Sequence, residues 1–304
     1  MTKISLVHSL EYKKWVFSPT HPTQGRRFDH AASLLIACDY PIKLVMPEFD
    51  PATWDALGSV HDLEYVDHVR NGYSREWRGQ RKDLGQLAAL FAQGTTTAFD
   101  ELRDGATIAV NFPGAKHHAM FDHSSGFCVF NDFALTIATK VEPTERVFVL
   151  DFDAHHGDGN EEMLLHYPNV ITASIHEDGI FPGTGQESRP EHGAYNYPLP
   201  ENADNAQLIQ ATRKALEIGK AFNPNYVFIA AGADGHVHDP LSSLRFTSDG
   251  YDAVAADIAQ AFPYAQFLIG GAGGYRPDDY TPSTWSGFVD ALHQAVTAER
   301  KVLT

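Results

Sequence analysis

Residues Arg146–Asn160 read RVFVLDFDAHHGDGN, and the two halves of this stretch demand different surroundings. Val147, Phe148, Val149 and Leu150 form an unbroken β-branched and aromatic run, the pattern of a strand buried on both faces, as in a parallel sheet. Asp151, Asp153, His155, His156 and Asp158 follow within eight positions. They fall at the strand's carboxyl end, where open α/β sheets place their ligands. So many ionisable groups beside a dry core are costly unless paired or bound to metal. Asp153 and His155 are two apart, so an extended backbone projects both to one side, a spacing that suits adjacent ligands of one divalent ion. Gly157 and Gly159 let the chain turn tightly into a helix expected over Asn160–Tyr167.

Outward from this strand, apolar runs alternate with amphipathic stretches. KISLVH (3–8), residues 41–45 and TIAVN (107–111) read as strands before it; VITASIH (170–176), YVFIAAGAD (226–234) and QFLIGGAGGY (266–275) read as strands after it. Helices are expected over Arg27–Cys38, Leu84–Arg103, Asp132–Lys140 and residues 202–222, 250–262 and 283–298. Another lies within 61–73, with Leu63, Val66, His68 and Val69 at helical spacing and Asn71-Gly72 as its C-cap. The alternation predicts a mostly parallel sheet covered on both faces, a three-layer α/β/α arrangement, in one domain over residues 1–304. Two long loops stand out as functional by composition and length: FPGAKHHAMFDHSSGFCVFND (112–132) and EDGIFPGTGQESRPEHGAYNYPLP (177–200). The basic segment SREWRGQRKD (74–83), with Trp77, reads as a solvated loop, the alternative being a rim contact to substrate.

Composition narrows the function. Hydrophobic residues make up 43% of the chain, as in an ordinary globular protein. The net charge of −16 argues against sequence-independent binding of nucleic acid and against anionic membranes, and it favours the approach of cationic substrates. Cys38 and Cys128 are the two cysteines, far apart in sequence, and MTKISLVHSL lacks the basic start and long apolar core of a secretory signal. A reducing cytoplasm and no disulfide are expected, with Cys128 a small buried hydrophobe. No apolar stretch approaches the ~18 residues of a transmembrane helix.

Four strand ends carry marked residues: Asn111 leading to His117 and His118, the Asp151–Asp158 cluster, Asp234, and Tyr275. Parallel strands bring all four to one edge of the sheet. Asp153, His155 and Asp234 would then form an Asp, His, Asp site with one position open, the arrangement of a catalytic metal. Zn²⁺ is the default for that donor set, and Fe²⁺ or Co²⁺ also suits it.

HHAMFDHSSGFCVFND, DFDAHHGDGN, FPGTG, GADGHVHDPL and GGAGGY, in that order, resemble the histone deacetylase family and its bacterial acetoin-utilisation and acetylpolyamine relatives; the resemblance spans about residues 15–295. It implies the arginase/deacetylase fold and hydrolysis of an N-acetylated amine, such as acetyl-lysine or an acetylpolyamine, by metal-activated water with a histidine general base. Residue by residue, it implies Asp153, His155 and Asp234 as metal ligands and His117 and His118 as the paired active-site histidines. Asp151 and Asp158 are the carboxylates behind that pair, each expected to accept a hydrogen bond from one ring nitrogen and so to set the tautomer. His118 is implied as the base, His117 as an electrostatic or proton-donating partner, and Tyr275 as the hydroxyl that polarises the acetyl carbonyl. Gly126, Phe127, Phe181 and Gly273 are implied as channel walls, and Asp151, Asp153, His155 and Ser174 as ligands of a structural K⁺, partly through backbone carbonyls.

The resemblance has departures. FPGAK precedes the histidine pair in place of PPG, and no acidic residue is identified for clamping a peptide backbone. Arg26 or Arg27 falls where the family carries an arginine. His156 is expected to pack, and His123, His176, His236 and His238 to lie near the site or on the surface. One rival is a binuclear manganese ureohydrolase of the arginase kind, because DAHHGD resembles its DAHxD segment. Two metals need a second carboxylate pair, whereas the fourth block offers Asp234 with Asp239 five positions on. The other rival is a catalytically silent module that binds acetyl-lysine, which would be expected to have lost a ligand, a histidine or Tyr275; none is lost. Substrate identity and oligomeric state stay open at this level.

Overall fold

In the computed structural model, which describes residues 2–302, the apolar runs form a single sheet. Its strands are β1 (Ile4–Val7), β2 (Ile42–Val45), β3 (Ile108–Asn111), β4 (Val147–Asp151), β5 (Val170–Glu177), β6 (Ala194–Leu199), β7 (Tyr226–Ala230) and β8 (Gln266–Gly270). They lie in the order β2-β1-β3-β8-β7-β4-β5-β6, and every neighbouring pair is parallel.

The unbroken hydrophobicity of the central strands follows from having a core on each face. Successive side chains alternate: Phe148, Leu150, Val227 and Ile229 enter one core, while Val147, Val149, Tyr226 and Phe228 enter the other. The first core is closed by helices Arg26–Ile36, Asn205–Phe222, Ser248–Ala261 and Tyr280–Val302, through residues such as Phe28, Leu208, Ile258 and Phe288. The second is closed by helix Asp132–Lys140 and the last turns of helix Lys82–Arg103, through Phe133, Ile137, Phe99 and Leu102. Each fully buried side chain of this kind contributes roughly 1.5–3 kcal/mol relative to exposure. The result is the three-layer α/β/α arrangement. Among the described residues no helix is long and apolar enough to cross a membrane.

Register then fixes where the chemistry can sit. Asp151 is paired with Ser174 on one side and Ala230 on the other, Ala230 with Gly270, and Gly270 with Asn111. Four strands, β3, β8, β7 and β4, therefore end in one row, and the segments bearing His117, Asp153, Asp234 and Tyr275 all leave from it.

Several local expectations need correction. The long 177–200 loop contains β6, a half-buried edge strand whose Pro198 and Asn196 weaken the apolar signal. The helix after the central strand runs Asp158–Leu164 rather than 160–167, because the amide of Glu161 already bonds to the carbonyl of Gly157. Helix Leu63–Arg70 buries Tyr65, Val66 and Val69, leaving Leu63 and His68 exposed. The 74–83 segment is not a freely solvated loop: Trp77 is buried, its indole donating to the carbonyl of Gly72 at 3.0 Å.

His156 does more than pack. Its Nε2 lies 2.9 Å from Glu161 Oε2 and its Nδ1 2.8 Å from Thr184 Oγ1. Glu161 also accepts from Asn196 Nδ2 at 2.8 Å and Arg189 Nε at 2.7 Å, so one buried carboxylate ties the 158–164 helix to β6 and to the loop before it. Burial alone would raise its pKa, but the bonds from His156, Asn196 and Arg189 outweigh that and hold it down to about 2. A depressed carboxylate pKa gives stability that is present above the ordinary value of 4.5 and lost as pH falls toward about 2. Glu161→Gln is therefore expected to destabilise the protein by about 1–3 kcal/mol near neutrality. In denaturant unfolding at stepped pH, the gap from the parent should close as the medium is acidified through that window.

Candidate active site

Asp153 and His155 leave the end of β4, and Asp234 follows β7. The neighbouring backbone aims all three: the Ala154 amide donates to Asp234 Oδ1 at 2.9 Å, the His155 amide to Asp153 Oδ1 at 3.0 Å, and the Gly273 amide to Asp153 Oδ2 at 2.6 Å. His155 Nδ1 lies 2.9 Å from Asp234 Oδ2 and 3.2 Å from Asp153 Oδ1. One ligand atom from each residue thus falls within 4.8 Å of the others. The three side chains are buried, and burial together with the charge of Asp153 lifts the Asp234 carboxyl to about 6. Two buried carboxylates in mutual repulsion, with an imidazole nitrogen beside them, are a donor set that a divalent cation would relieve.

The histidine pair stands against this triad. His117 Nδ1 is 2.7 Å from Asp151 Oδ2, and His118 Nδ1 is 2.7 Å from Asp158 Oδ1. The two rings are 4.0 Å apart, and His117 Nε2 comes within 3.7 Å of Asp153 Oδ1. Small residues permit this approach. A Cβ on Gly159 would stand 2.5 Å from the carbonyl oxygen of Ala119 and 2.7 Å from that of His117. The Asn160 amide donates to that same His117 carbonyl at 2.9 Å, so the GDGN turn and the histidine loop are built on each other. Asp132 fastens the loop from behind, its carboxylate accepting the amides of Ala115 at 2.9 Å and Lys116 at 2.7 Å.

The protein's own groups set the two histidines apart. Burial disfavours charge on His117, but the carboxylates of Asp151 and Asp153 outweigh it and raise its pKa to about 9. For His118, burial and the positive charge of His117 dominate over Asp158 and lower it to about 4. A charged and a neutral imidazole side by side are an acid and a base.

Tyr275 and the expected walls complete the site. The Tyr275 amide donates to Asp239 Oδ2 at 2.7 Å, and burial with the nearby Asp234 and Asp153 charges raises the phenol well above its ordinary pKa, so it remains a donor. Phe127 packs edge-on to Tyr275 at 5.9 Å, and Phe181 stands 5.0 Å from His118 with 49% of its surface exposed, marking the mouth. Gly126, at φ +53°, lies against the His118 and Phe181 rings, where a Cβ would come within 2.9 Å of Phe181. Gly273 sits deeper, against the carboxylates of Asp153 and Asp234, rather than on the aromatic wall. Ser174, beside Asp151 in the sheet, bonds through Oγ to His176 Nδ1 at 2.9 Å.

Several supporting residues were not singled out from sequence. Glu76, in the basic segment, accepts the amide of Phe127 at 2.9 Å and so holds a wall residue whose φ is +65°. Asp239 holds Tyr275. Of the two arginines, Arg27 turns inward, donating to the carbonyl of Gly274 and lying 5.6 Å over the Tyr275 ring, while Arg26 pairs with Asp278 at the surface. The Trp77 anchor was the one signal that the 74–83 segment packs inward. His236 and His238 pack on Tyr280 at 4.9 and 4.2 Å, and His123 pairs with Asp122. Cys128 is buried, its thiol pushed up to about 12, as suits a small hydrophobe rather than a nucleophile.

Comparison with known proteins agrees with this geometry. Residues 21–292 match the family model described as the histone deacetylase domain. The acetoin utilization protein AcuC of Bacillus subtilis (strain 168) is 29% identical over 92% of this chain and 79% of its own length. That of Staphylococcus aureus (strain Mu50 / ATCC 700699) is 29% identical over 97% and 83%. Histone deacetylase 8 of Xenopus laevis is 35% identical over 66% of this chain and 63% of its own. The chain belongs to the histone deacetylase family.

Proposed function

We propose that this protein is a cytoplasmic, metal-dependent deacylase that hydrolyses the amide of an N-acylated amine. The observation that carries the reading is the pair of His–Asp dyads, oppositely poised, beside the Asp153, His155 and Asp234 triad. A divalent ion in that triad, Zn²⁺ by its donor set with Fe²⁺ or Co²⁺ as alternatives, would supply the Lewis acidity for water and for the amide carbonyl. The remaining work falls to side chains. His118, neutral at pH 7, takes the proton of the attacking water at Nε2, with Asp158 fixing Nδ1 as the protonated nitrogen. His117, held charged by Asp151, stabilises negative charge as it develops and can return a proton to the leaving amine. Tyr275 donates its hydroxyl to the carbonyl oxygen as it gains charge. Phe127 and Phe181 would flank an aliphatic chain such as that of lysine or a polyamine, and the net charge of −16 would draw cationic substrates. Asp151, Asp153, His155 and Ser174 are proposed, partly through backbone carbonyls, to hold a structural K⁺.

The rival readings find less support. A binuclear ureohydrolase would need Asp239 beside Asp234 for a second ion, yet its carboxylate accepts the amides of Leu241 and Tyr275, and the described residues offer one candidate metal cluster, Asp153, His155 and Asp234. A silent acetyl-lysine module has no reason to keep both dyads and Tyr275.

Three expected outcomes test the reading. Assayed with acetyl-lysine peptides, acetylputrescine, acetylspermidine and lysine peptides carrying longer N-acyl groups, the metal-replete protein should turn over at least one, and hydrolysis of none would sink the reading. Asp153→Asn or His155→Ala should lose bound divalent metal and activity together, whereas Asp158→Asn should lower kcat with metal content near normal; metal analysis beside kinetics separates the two. Tyr275→Phe should lower kcat by roughly 10²–10³, about 2.7–4 kcal/mol, with fold and metal intact, by analogy with loss of one oxyanion donor. A loss under about threefold would remove Tyr275 from the chemistry.

A further inference from the structure

Lys116, the last residue of FPGAK, has no part in the chemistry described so far. Its amide is fixed by Asp132, but its side chain is buried, 6% exposed, and its ammonium lies over the rings of Phe28 and Phe91 at 5.8 and 5.6 Å. Arg27, 2% exposed, lies over the same Phe28 ring at 5.0 Å. Its hydrogen bond goes to the carbonyl of Gly274, and its Nε has no partner. Among the described residues neither cation forms an ion pair. Two neutral donors share the neighbourhood unpartnered: Tyr12 Oη and Trp15 Nε1, whose rings pack on Phe91 at 5.2 and 4.9 Å.

Buried bare cations are costly, and removing the counter-charge from such a group is among the most destabilising changes in a protein. Burial, with Arg27 adding to it, lowers Lys116 to about 8, which leaves the amine largely charged at neutral pH. An arginine with a free Nε and an ammonium over one aromatic ring form a pair suited to a carboxylate.

Their position says which carboxylate. Lys116 immediately precedes His117, and Arg27 holds the residue before Tyr275, so both stand at the inner end of the site. The mouth, marked by Phe181, is opposite in character: aromatic and exposed. An amide that enters past Phe181 and places its carbonyl at Tyr275 directs its acyl substituent inward, toward the two cations.

We propose that Lys116 and Arg27 form an internal carboxylate site, and that the preferred substrates are amides whose acyl group ends in a carboxylate, the monoamides of short dicarboxylic acids such as succinic acid. This rests on the deacylase reading of the same centre and specifies its acyl class. The reaction remains hydrolysis: the acyl carbon gains the hydroxyl of water, the C–N bond breaks, and nitrogen takes the proton, giving a free amine and a dicarboxylate.

The test compares one lysine peptide carrying N-succinyl, N-butyryl or N-acetyl groups, with parent, Lys116→Met and Lys116→Arg proteins in metal-loaded form. Butyryl matches succinyl in length without the second carboxylate. The parent should favour succinyl over butyryl at least ~10-fold in kcat/KM; Met should abolish that ratio and Arg should retain it. Calorimetric titration gives a second readout: succinate should bind the parent at least ~10-fold more tightly than butyrate, and the excess should vanish in Lys116→Met. Hydrolysis of acetyl or butyryl peptide without succinyl preference would overturn this inference and leave the deacylase reading standing. If no acyl peptide is hydrolysed, the deacylase reading falls, and equal binding of succinate and butyrate would remove the carboxylate site as well.

Discussion

Two carboxylates, Asp153 and Asp234, meet His155 Nδ1 at the end of a sheet where water is excluded, and the rest of the centre is arranged around that concentration of charge. Charge on Asp151 and Asp153 outweighs burial and raises His117, whereas burial together with the charge on His117 lowers His118. The contrast between the two histidines therefore originates in burial and in the sheet register that brings Asp151 and Asp153 together, more than in any property of the histidines. The backbone amides of Ala154, His155 and Gly273, each donating to a carboxylate of the triad, offset part of that concentration of charge.

Close approach is the second constraint. The histidine loop rests on the GDGN turn with main chain against main chain, so that a methyl group on Gly159 would collide with two carbonyl oxygens. This explains why the histidine loop and a glycine-rich turn separated by about 40 residues form one rigid unit, in which Asn160 and Asp132 act as fasteners. Rigid support of this kind keeps catalytic groups within the small tolerances that proton transfer needs.

The legible parts of the sequence were those under strong and uniform constraint. A strand buried on both faces must be apolar throughout, so β4, β7 and β8 were readable; β6 was not, because an edge strand with Asn196 turned toward Glu161 and with Pro198 carries no such pattern. The triad was readable because its residue types and spacing admit few structural uses; both dyads came from the family resemblance. Glu76, Asp132 and Asp239 act by accepting backbone amides, a task any acidic residue near a loop can perform, and so leave no signature in composition or spacing. Lys116 was visible only as a departure from the family pattern, since the burial of its ammonium depends on Phe28 and Phe91 from two distant helices.

The pairing of β3 with β8 joins residues Ile108–Asn111 to Phe267–Gly270, bridging more than half the chain. Parallel strands cannot form this contact locally, and loop closure over such a distance is entropically late. The centre, which draws His117 from one side of that seam and Tyr275 from the other, thus exists only once the sheet has closed. An ion that bound the closed state alone would also be a folding ligand: by mass action its free concentration would raise the native fraction of the chain, coupling metal supply to the protein's abundance.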